Sequence, residues 1–455
     1  MEKDNSIIML LTGDPARDTR VRREAASAGK RFDVTIIGMG AEGEDLSEGG
    51  EVEGCRVAYA QRKGIPLFEY IGLVWKRLFG AGGRVAFLIG LCVGFVLAVP
   101  LLVVFPVLLF ARRLFSIFPG MKRIYHIPGF RWIFFVWAVK NNIQYTVGLV
   151  RAFEARIDRA DIIHSNDLDT LLAGVLIRSQ RKAALVYDAH ELWPVQDPFA
   201  PWYHVAVFRW FEGRLIGRAD EVLTVSKPLA EIFQKWYGLE RISVLPNVLP
   251  YTERREPPGG EMSRIAGDRV KFLYHGGFLP GRGIDTLLRL WSRVDAKKAV
   301  LFLRGGDNPY KKELEELAKK IIPEGGAYFI DAVPLDDVIP AAMEADVGVI
   351  PYEPLCLNNE FACPNKLSEY MQAGLCVLAN GRLVNIRNTI NAFDCGVSYN
   401  PKDEDGTLAV IEELISNSSL RSRLRENARE ASRAEYNWAG YESVLLDAYR
   451  RVISP

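Results

Sequence analysis

Three short stretches of this sequence carry residues whose types and spacing could do chemistry. In Pro364-Asn365-Lys366-Leu367-Ser368-Glu369, a proline with fixed φ precedes a helix read over 366–372. Free N–H groups and the positive dipole end at the start of such a helix suit a phosphate, with Asn365, Lys366 and Leu367 closest to it. Glu369, one turn in, is either a surface carboxylate or an acceptor for the two hydroxyls of a ribose. In His275-Gly276-Gly277-Phe278-Leu279-Pro280-Gly281-Arg282-Gly283, four glycines free the backbone to wrap a phosphate, and Arg282 can donate two hydrogen bonds to it. In Asp188-Ala189-His190-Glu191, His190 is either a satisfied structural histidine or a group that bonds a ligand or moves a proton. The spacing Asp167-x-Asp169 matches a metal-binding pair, but it sits where a helix begins, so helix capping is expected and no metal or other cofactor.

The elements that must position these residues alternate. Apolar runs at 7–11, 33–37, 56–59, 161–164, 184–187, 221–225 and 242–245 read as strands, with helices between them. A second series follows at 270–274, 299–303, 328–330, 346–350 and 375–379. This alternation predicts an α/β protein with parallel sheets, whose ligand loops lie at the carboxyl ends of strands. Gly13 and Asp14 close the first strand, where Gly13 is either a plain turn or a point of close approach to ligand. The polar, Pro- and Gly-rich stretch 249–268 reads as a linker, which divides the chain into 1–248 and 269–435, with a last helical element at 436–455.

With a net charge of +1, no broad field draws nucleic acid. Six cysteines without a C-x-x-C pair favour a reduced, cytosolic setting. The apolar run 7–11 is too short for a signal peptide. The departure from an ordinary α/β chain is 85–111, which holds no charged residue. As a helix it would be roughly 40 Å long, enough to cross a hydrocarbon core of about 30 Å. Basic residues flank both ends (Lys76, Arg77 and Arg84 before, Arg112, Arg113, Lys122 and Arg123 after), which places both on the cytoplasmic side. Pro100 and Pro106 favour a hairpin that dips into the membrane, within a membrane-associated insertion at 61–149. A second full crossing within 124–139 is the alternative, although that segment looks more like an interfacial helix.

Taken together, Pro364-x-Lys366-x-x-Glu369, Arg282-Gly283, Pro246-Asn247, Asp188-x-His190-Glu191 and Arg17-Asp18-Thr19-Arg20 resemble, in this order from the C-terminal side, the retaining glycosyltransferases of family 4. The resemblance implies the GT-B fold, two Rossmann-like domains facing a cleft, here with an apolar helical membrane insertion. It implies that Glu369 holds the ribose of a nucleotide-diphosphate sugar and that Arg282 neutralises the diphosphate, with Gly13, Gly277, Gly281, Asn365, Lys366 and Leu367 also on the donor. His190, Arg282 and Lys366 are the expected catalytic residues. Asp14, Asn166, His190 and Glu191 are expected on the acceptor side. The family's second glutamate falls at Phe361 here, with Glu360 one residue off, and a frequent arginine falls at Phe278. The implied function is sugar transfer from a nucleotide-sugar donor to a membrane acceptor, a polyprenyl-linked glycan of the cell envelope, on the cytoplasmic face. A nucleotide-sugar epimerase or hydrolase on the same fold, or a silent membrane-bound homologue, are the other readings.

Overall fold

In a computed structural model of the chain, residues 5–39, 50–60, 128–253 and 260–453 are described. The chain splits into two compact units, Met1–Leu223 with Leu446–Pro455, and Thr224–Leu445. The apolar run 85–111 lies outside the described residues, as does the expected insertion up to residue 127. No described helix is long and apolar enough to cross a membrane.

The first sheet contains β1 (Ser6–Leu10), β2 (Asp33–Met39), β3 (Gly50–Val52), β4 (Cys55–Ala60), β5 (Ile162–Asn166), β6 (Ala184–Ala189), β7 (Glu221–Thr224) and β8 (Ser243–Val244). Its order is β3-β4-β2-β1-β5-β6-β7-β8. The β1–β2, β1–β5, β2–β4 and β5–β6 pairs are parallel, and β3 turns back antiparallel on β4. Ile7 to Leu10 and the whole of β5 are buried, as expected of strands covered on both faces.

Helix α1 (Thr19–Gly29) starts at Asp18, whose carboxylate accepts from the amides of Arg20 and Val21. The 29-residue helix α2 (Pro128–Arg156) runs through position 149 and buries Val147, Leu149, Val150 and Phe153. Helix α3 (Leu168–Arg181) lies so close to β5 that a Cβ on Gly174 would fall 2.1 Å from the Ser165 hydroxyl.

The second sheet contains β9 (Val270–His275), β10 (Ala299–Arg304), β11 (Ala327–Ile330), β12 (Val347–Ile350), β13 (Cys376–Asn380) and β14 (Gly396–Tyr399), in the order β11-β10-β9-β12-β13-β14. All its neighbouring pairs are parallel. Helix α4 (Ile284–Trp291) follows the glycine-rich loop. A short helix α5 (Leu357–Phe361) precedes α6 (Asn365–Ala373), which ends at Gly374 in the left-handed region. The last helix, α7 (Trp438–Ile453), ends within the first unit. There Tyr449 Oη lies 2.7 Å from His164 Nδ1, and Arg451 holds the buried Glu221 through both carboxylate oxygens. Strands β3 and β14 have no counterpart in the sequence reading. β3 is three residues of Gly-Glu-Val, and β14 is only half-buried, so neither shows an apolar run.

Each sheet winds outward in two directions from its first strand, and so has a switch point, between β1 and β5 in one and between β9 and β12 in the other. Crevices of this kind, outside the carboxyl ends of the strands, are where such sheets bind ligands. Between β9 and β12 the pairing ends at Gly348 and Leu273. Beyond it the Tyr370 hydroxyl enters the gap, accepting from the His275 amide at 3.1 Å and donating to the Leu273 carbonyl at 3.1 Å. Gly348 makes room for it, since a Cβ there would lie 2.4 Å from the Tyr370 ring. Gly348→Ala is therefore expected to cost about 1–3 kcal/mol, read as a lower urea midpoint. An unchanged midpoint would mean that the ring moves aside freely.

Candidate functional site

In the second unit the expected ligand residues gather at the β9–β12 switch point. Glu369 on α6 is bonded through Oε2 to His275 Nε2 at 2.7 Å, and the His275 ring lies 4.6 Å from that of Tyr370. Burial pushes the His275 imidazole below its usual value, so at neutral pH it is a neutral ring donating to a carboxylate. Burial alone would raise Glu369, but the bond from His275 and the Lys366 charge outweigh it and hold the carboxyl below its usual range. Glu369 is thus an ionised, oriented acceptor. His275 is the partner that sequence reasoning missed; only its place at the end of an apolar strand marked it.

Lys366 acts on this carboxylate, and it shares the Tyr352 ring with a second cation, Arg282. Arg282 sits 4.3 Å from the centre of the Tyr352 ring, and Lys366 Nζ sits 5.4 Å from the rings of both Tyr352 and Tyr274. Their positive charge rests on aromatic faces, a weaker neutralisation than a carboxylate gives. Gly276, at φ +116°, lies directly under Lys366: a Cβ there would fall 2.4 Å from Nζ. Gly281 and Gly283 also take positive φ, and Gly283 backs onto the Pro351 carbonyl. The loop needs glycine at these places for conformation and close approach.

The other donor-side residues are mixed. The Gly277 carbonyl accepts from the Tyr274 hydroxyl at 2.8 Å. Asn365 Oδ1 is buried without a hydrogen bond at the start of α6, and Pro364 leaves that helix without a side-chain cap. Leu367 is fully buried, and its amide donates to the Pro364 carbonyl at 3.2 Å. Phe278, standing where an arginine is frequent, is fully buried against Tyr274 and Phe329. Glu360 pairs with Arg382 at 3.4 Å, and the Phe361 carbonyl accepts from Ser226.

In the first unit, the carboxyl ends of β1, β5 and β6 carry a buried charge cluster. Arg20 on α1 bonds Asp188 at 2.8 Å and lies 2.9 Å from Glu24. His190 sits between two carboxylates, with Nε2 3.1 Å from Asp188 and Nδ1 3.2 Å from Asp167. Burial would lower the His190 ring, but Asp167 and Asp188 outweigh it and raise it well above the usual value. Burial would raise Asp188, but Arg20 and His190 hold it well below the usual range. Arg20 was singled out in the sequence only as part of Arg17-Asp18-Thr19-Arg20, and Glu24 not at all. Oxygens of Glu24 and Asp188 and a nitrogen of His164 lie within 4.8 Å of one another. The Arg20 guanidinium already supplies positive charge that those carboxylates face.

The expectation that Asp167 and Asp169 cap α3 is corrected. Asp167 stands at the N-cap position, but its side chain makes no capping bond and turns to His190 instead. Asp169 accepts from the Thr12 hydroxyl at 2.6 Å. The Asn166 side-chain amide is spent on the Leu10 carbonyl. Asp14 caps its own turn at Ala16 and meets Arg17, a Cβ on Gly13 would make only ordinary contact with Leu11 at 3.9 Å, and Glu191 is exposed.

Comparison with known proteins bears on the family and the fold. Residues 106–250 match the family model described as Glycosyltransferase Family 4, and residues 261–431 match Glycosyl transferases group 1. The chain is similar to the phosphatidylinositol N-acetylglucosaminyltransferase GPI3 subunit of Saccharomyces cerevisiae, 22% identical over 236 residues, which is 50% of each protein. It thus spans about half the length of that curated relative. Among solved structures it resembles sucrose-phosphate synthase from Thermosynechococcus elongatus, with TM-score 0.68 and 16% identity over 99% of both chains. It also resembles Anabaena HepE in complex with UDP, with TM-score 0.65 and 13% identity over 98% of this chain and 99% of that one. The matched families and the shared fold support a GT-B glycosyltransferase.

Asp169 and Glu24 yield a pH prediction. Burial first, then the neighbouring Asp167 charge, pushes Asp169 from 3.8 to about 7, and burial likewise pushes Glu24 from 4.5 to about 7. The folded state therefore keeps protons that the unfolded state has released, and these groups make stability fall as pH rises from about 4 to about 7. Asp169→Asn removes its share of that fall. Relative to wild type the variant should gain about 1–3 kcal/mol more at pH 8 than at pH 5, read from urea unfolding. An equal difference at both pH values would show that Asp169 does not titrate in this window.

Proposed function

We propose that this protein is a retaining glycosyltransferase that moves a sugar from a nucleotide-diphosphate sugar to a lipid-linked glycan on the cytoplasmic face of a membrane. The observation that carries the donor half is the grouping of Glu369, Arg282 and Lys366 around the β9–β12 switch point. One ionised carboxylate oriented by His275 suits a ribose diol, and two cations resting on aromatic rings suit a diphosphate. UDP is the ligand in the HepE structure, which has the same fold.

The acceptor half rests on two supports. The charge-free run 85–111 is long enough to meet a bilayer, and the GPI3 subunit bears the name of an enzyme acting on phosphatidylinositol. The membrane anchor, the acceptor's identity as a polyprenyl-linked glycan and the absence of a metal requirement are parts of this proposal.

In the proposed reaction the bond between the sugar C1 and the diphosphate oxygen breaks, and the electron pair leaves with the diphosphate. Arg282, Lys366 and the backbone donors of the glycine-rich loop take up the charge that develops on it. The acceptor hydroxyl attacks from the face the diphosphate has left, so the anomeric configuration is retained. Its proton passes to a leaving phosphate oxygen. Both ring nitrogens of His190 face carboxylates, so His190 serves this reading as a fixed positive charge and not as a base.

Thermal unfolding with UDP, GDP, dTDP and ADP tests the donor site. One nucleotide at about 100 times its dissociation constant should stabilise the protein by roughly 2.7 kcal/mol, and Glu369→Ala should abolish that shift. No shift with any of the four would count against the donor reading. Proton NMR of the glycoside product checks the stereochemistry, and an inverted anomeric centre would sink the retaining mechanism. Removing 85–111 should release the protein from membranes and end transfer to lipid-linked acceptors; unchanged partitioning and transfer would rule out the anchor.

A further inference from the structure

We propose that Asp167 is a positioning residue whose strained backbone serves to clamp His190 in one orientation. Asp167 grips His190 at two points. One carboxylate oxygen accepts from the His190 backbone amide at 2.9 Å, and the other lies 3.2 Å from its Nδ1. The Asp167 amide in turn donates to the Asp188 carbonyl at 2.9 Å, which ties the end of β5 to the end of β6. Asp188 holds the opposite ring nitrogen at 3.1 Å, so the imidazole is pinned from both sides.

The backbone carries the mark of this arrangement. Asp167 has φ +61° and ψ +170°, a region that essentially only glycine occupies without strain. It stands at the N-cap of α3 yet makes no side-chain capping bond, so a capping role does not account for it. Such strain persists where the surroundings over-determine a residue, and these are often functional positions.

Titratable and charged groups surround His190 from four elements. From α3 come Asp167 and Asp169, from β6 Asp188, from α1 Arg20 and Glu24, and from β5 His164. Asp167 and Asp188 make the direct contacts with the ring, and Arg20 opposes them. Removing the Asp167 carboxylate should leave the Nδ1 proton without its acceptor and return the ring toward ordinary titration.

The test uses the full chain with 15N-labelled histidine, in Asp167→Asn, Asp167→Gly and wild type. The chain has five histidines, and His190→Gln assigns the signal. In wild type, His190 should show two protonated ring nitrogens at pH 8. In both Asp167 variants it should show a single neutral tautomer at that pH. Asp167→Gly should hold or raise the melting temperature because glycine relieves the strained φ and ψ, and Asp167→Asn should lack that gain. Dependence of catalysis on His190 rests on the proposed glycosyl transfer. If that reading holds, both variants should lose about 10- to 100-fold in kcat with little change in donor KM. A His190 that titrates at its usual value in wild type, or that keeps both protons at pH 8 in both variants, would overturn the clamp. The ring-proton readout decides this even if wild type transfers no sugar.

Discussion

A parallel sheet that winds outward in both directions from one strand must leave a gap where that strand's two neighbours part. Peptide groups in the gap have lost their sheet partners, and buried peptide groups need new ones. In the second sheet the gap is closed by Tyr370, whose hydroxyl takes both a β9 amide and a β9 carbonyl. In the first, the Asn166 side-chain amide bonds the Leu10 carbonyl at the β1–β5 switch point. These two side chains set where the neighbouring functional groups stand. Tyr370 is the residue after Glu369 and supports the His275 ring, and Asn166 is the residue before Asp167.

The two units handle charge in opposite ways. Around Glu369 the cations are left on aromatic rings, where attraction is modest and an anionic ligand can displace it. Around His190 each charge has an opposite partner within about 4 Å, with Arg20 bonding Asp188 and lying against Glu24, and His190 facing Asp167 and Asp188. A buried charge is costly unless paired, so the first arrangement is poised for a ligand and the second is set before any ligand arrives. The cost of crowding Asp169 and Glu24 into the second cluster appears as carboxyls pushed up to about 7.

Much of the fold was legible along the chain. Buried parallel strands are continuous apolar runs, so their positions and their alternation with helices could be read directly. What escaped lacked such a signal. Strand β3 is a three-residue antiparallel return, β14 is half-buried, and α5 is a single short helix inside a polar stretch.

By itself, the sequence determined which residues could carry the chemistry, because Glu369, Lys366, Arg282 and His190 announce themselves through glycine, proline and helix-start patterns within a few positions. The tertiary structure alone decided what each of them meets. His275 reaches Glu369 across 94 positions, Tyr352 comes under Arg282 from another strand end, and Asp167 leaves its cap to hold His190 across 23 positions. The physical reason is that local pattern reports a residue's own backbone preference, whereas charge state and orientation depend on groups that only the packing of parallel strand ends brings within hydrogen-bond distance.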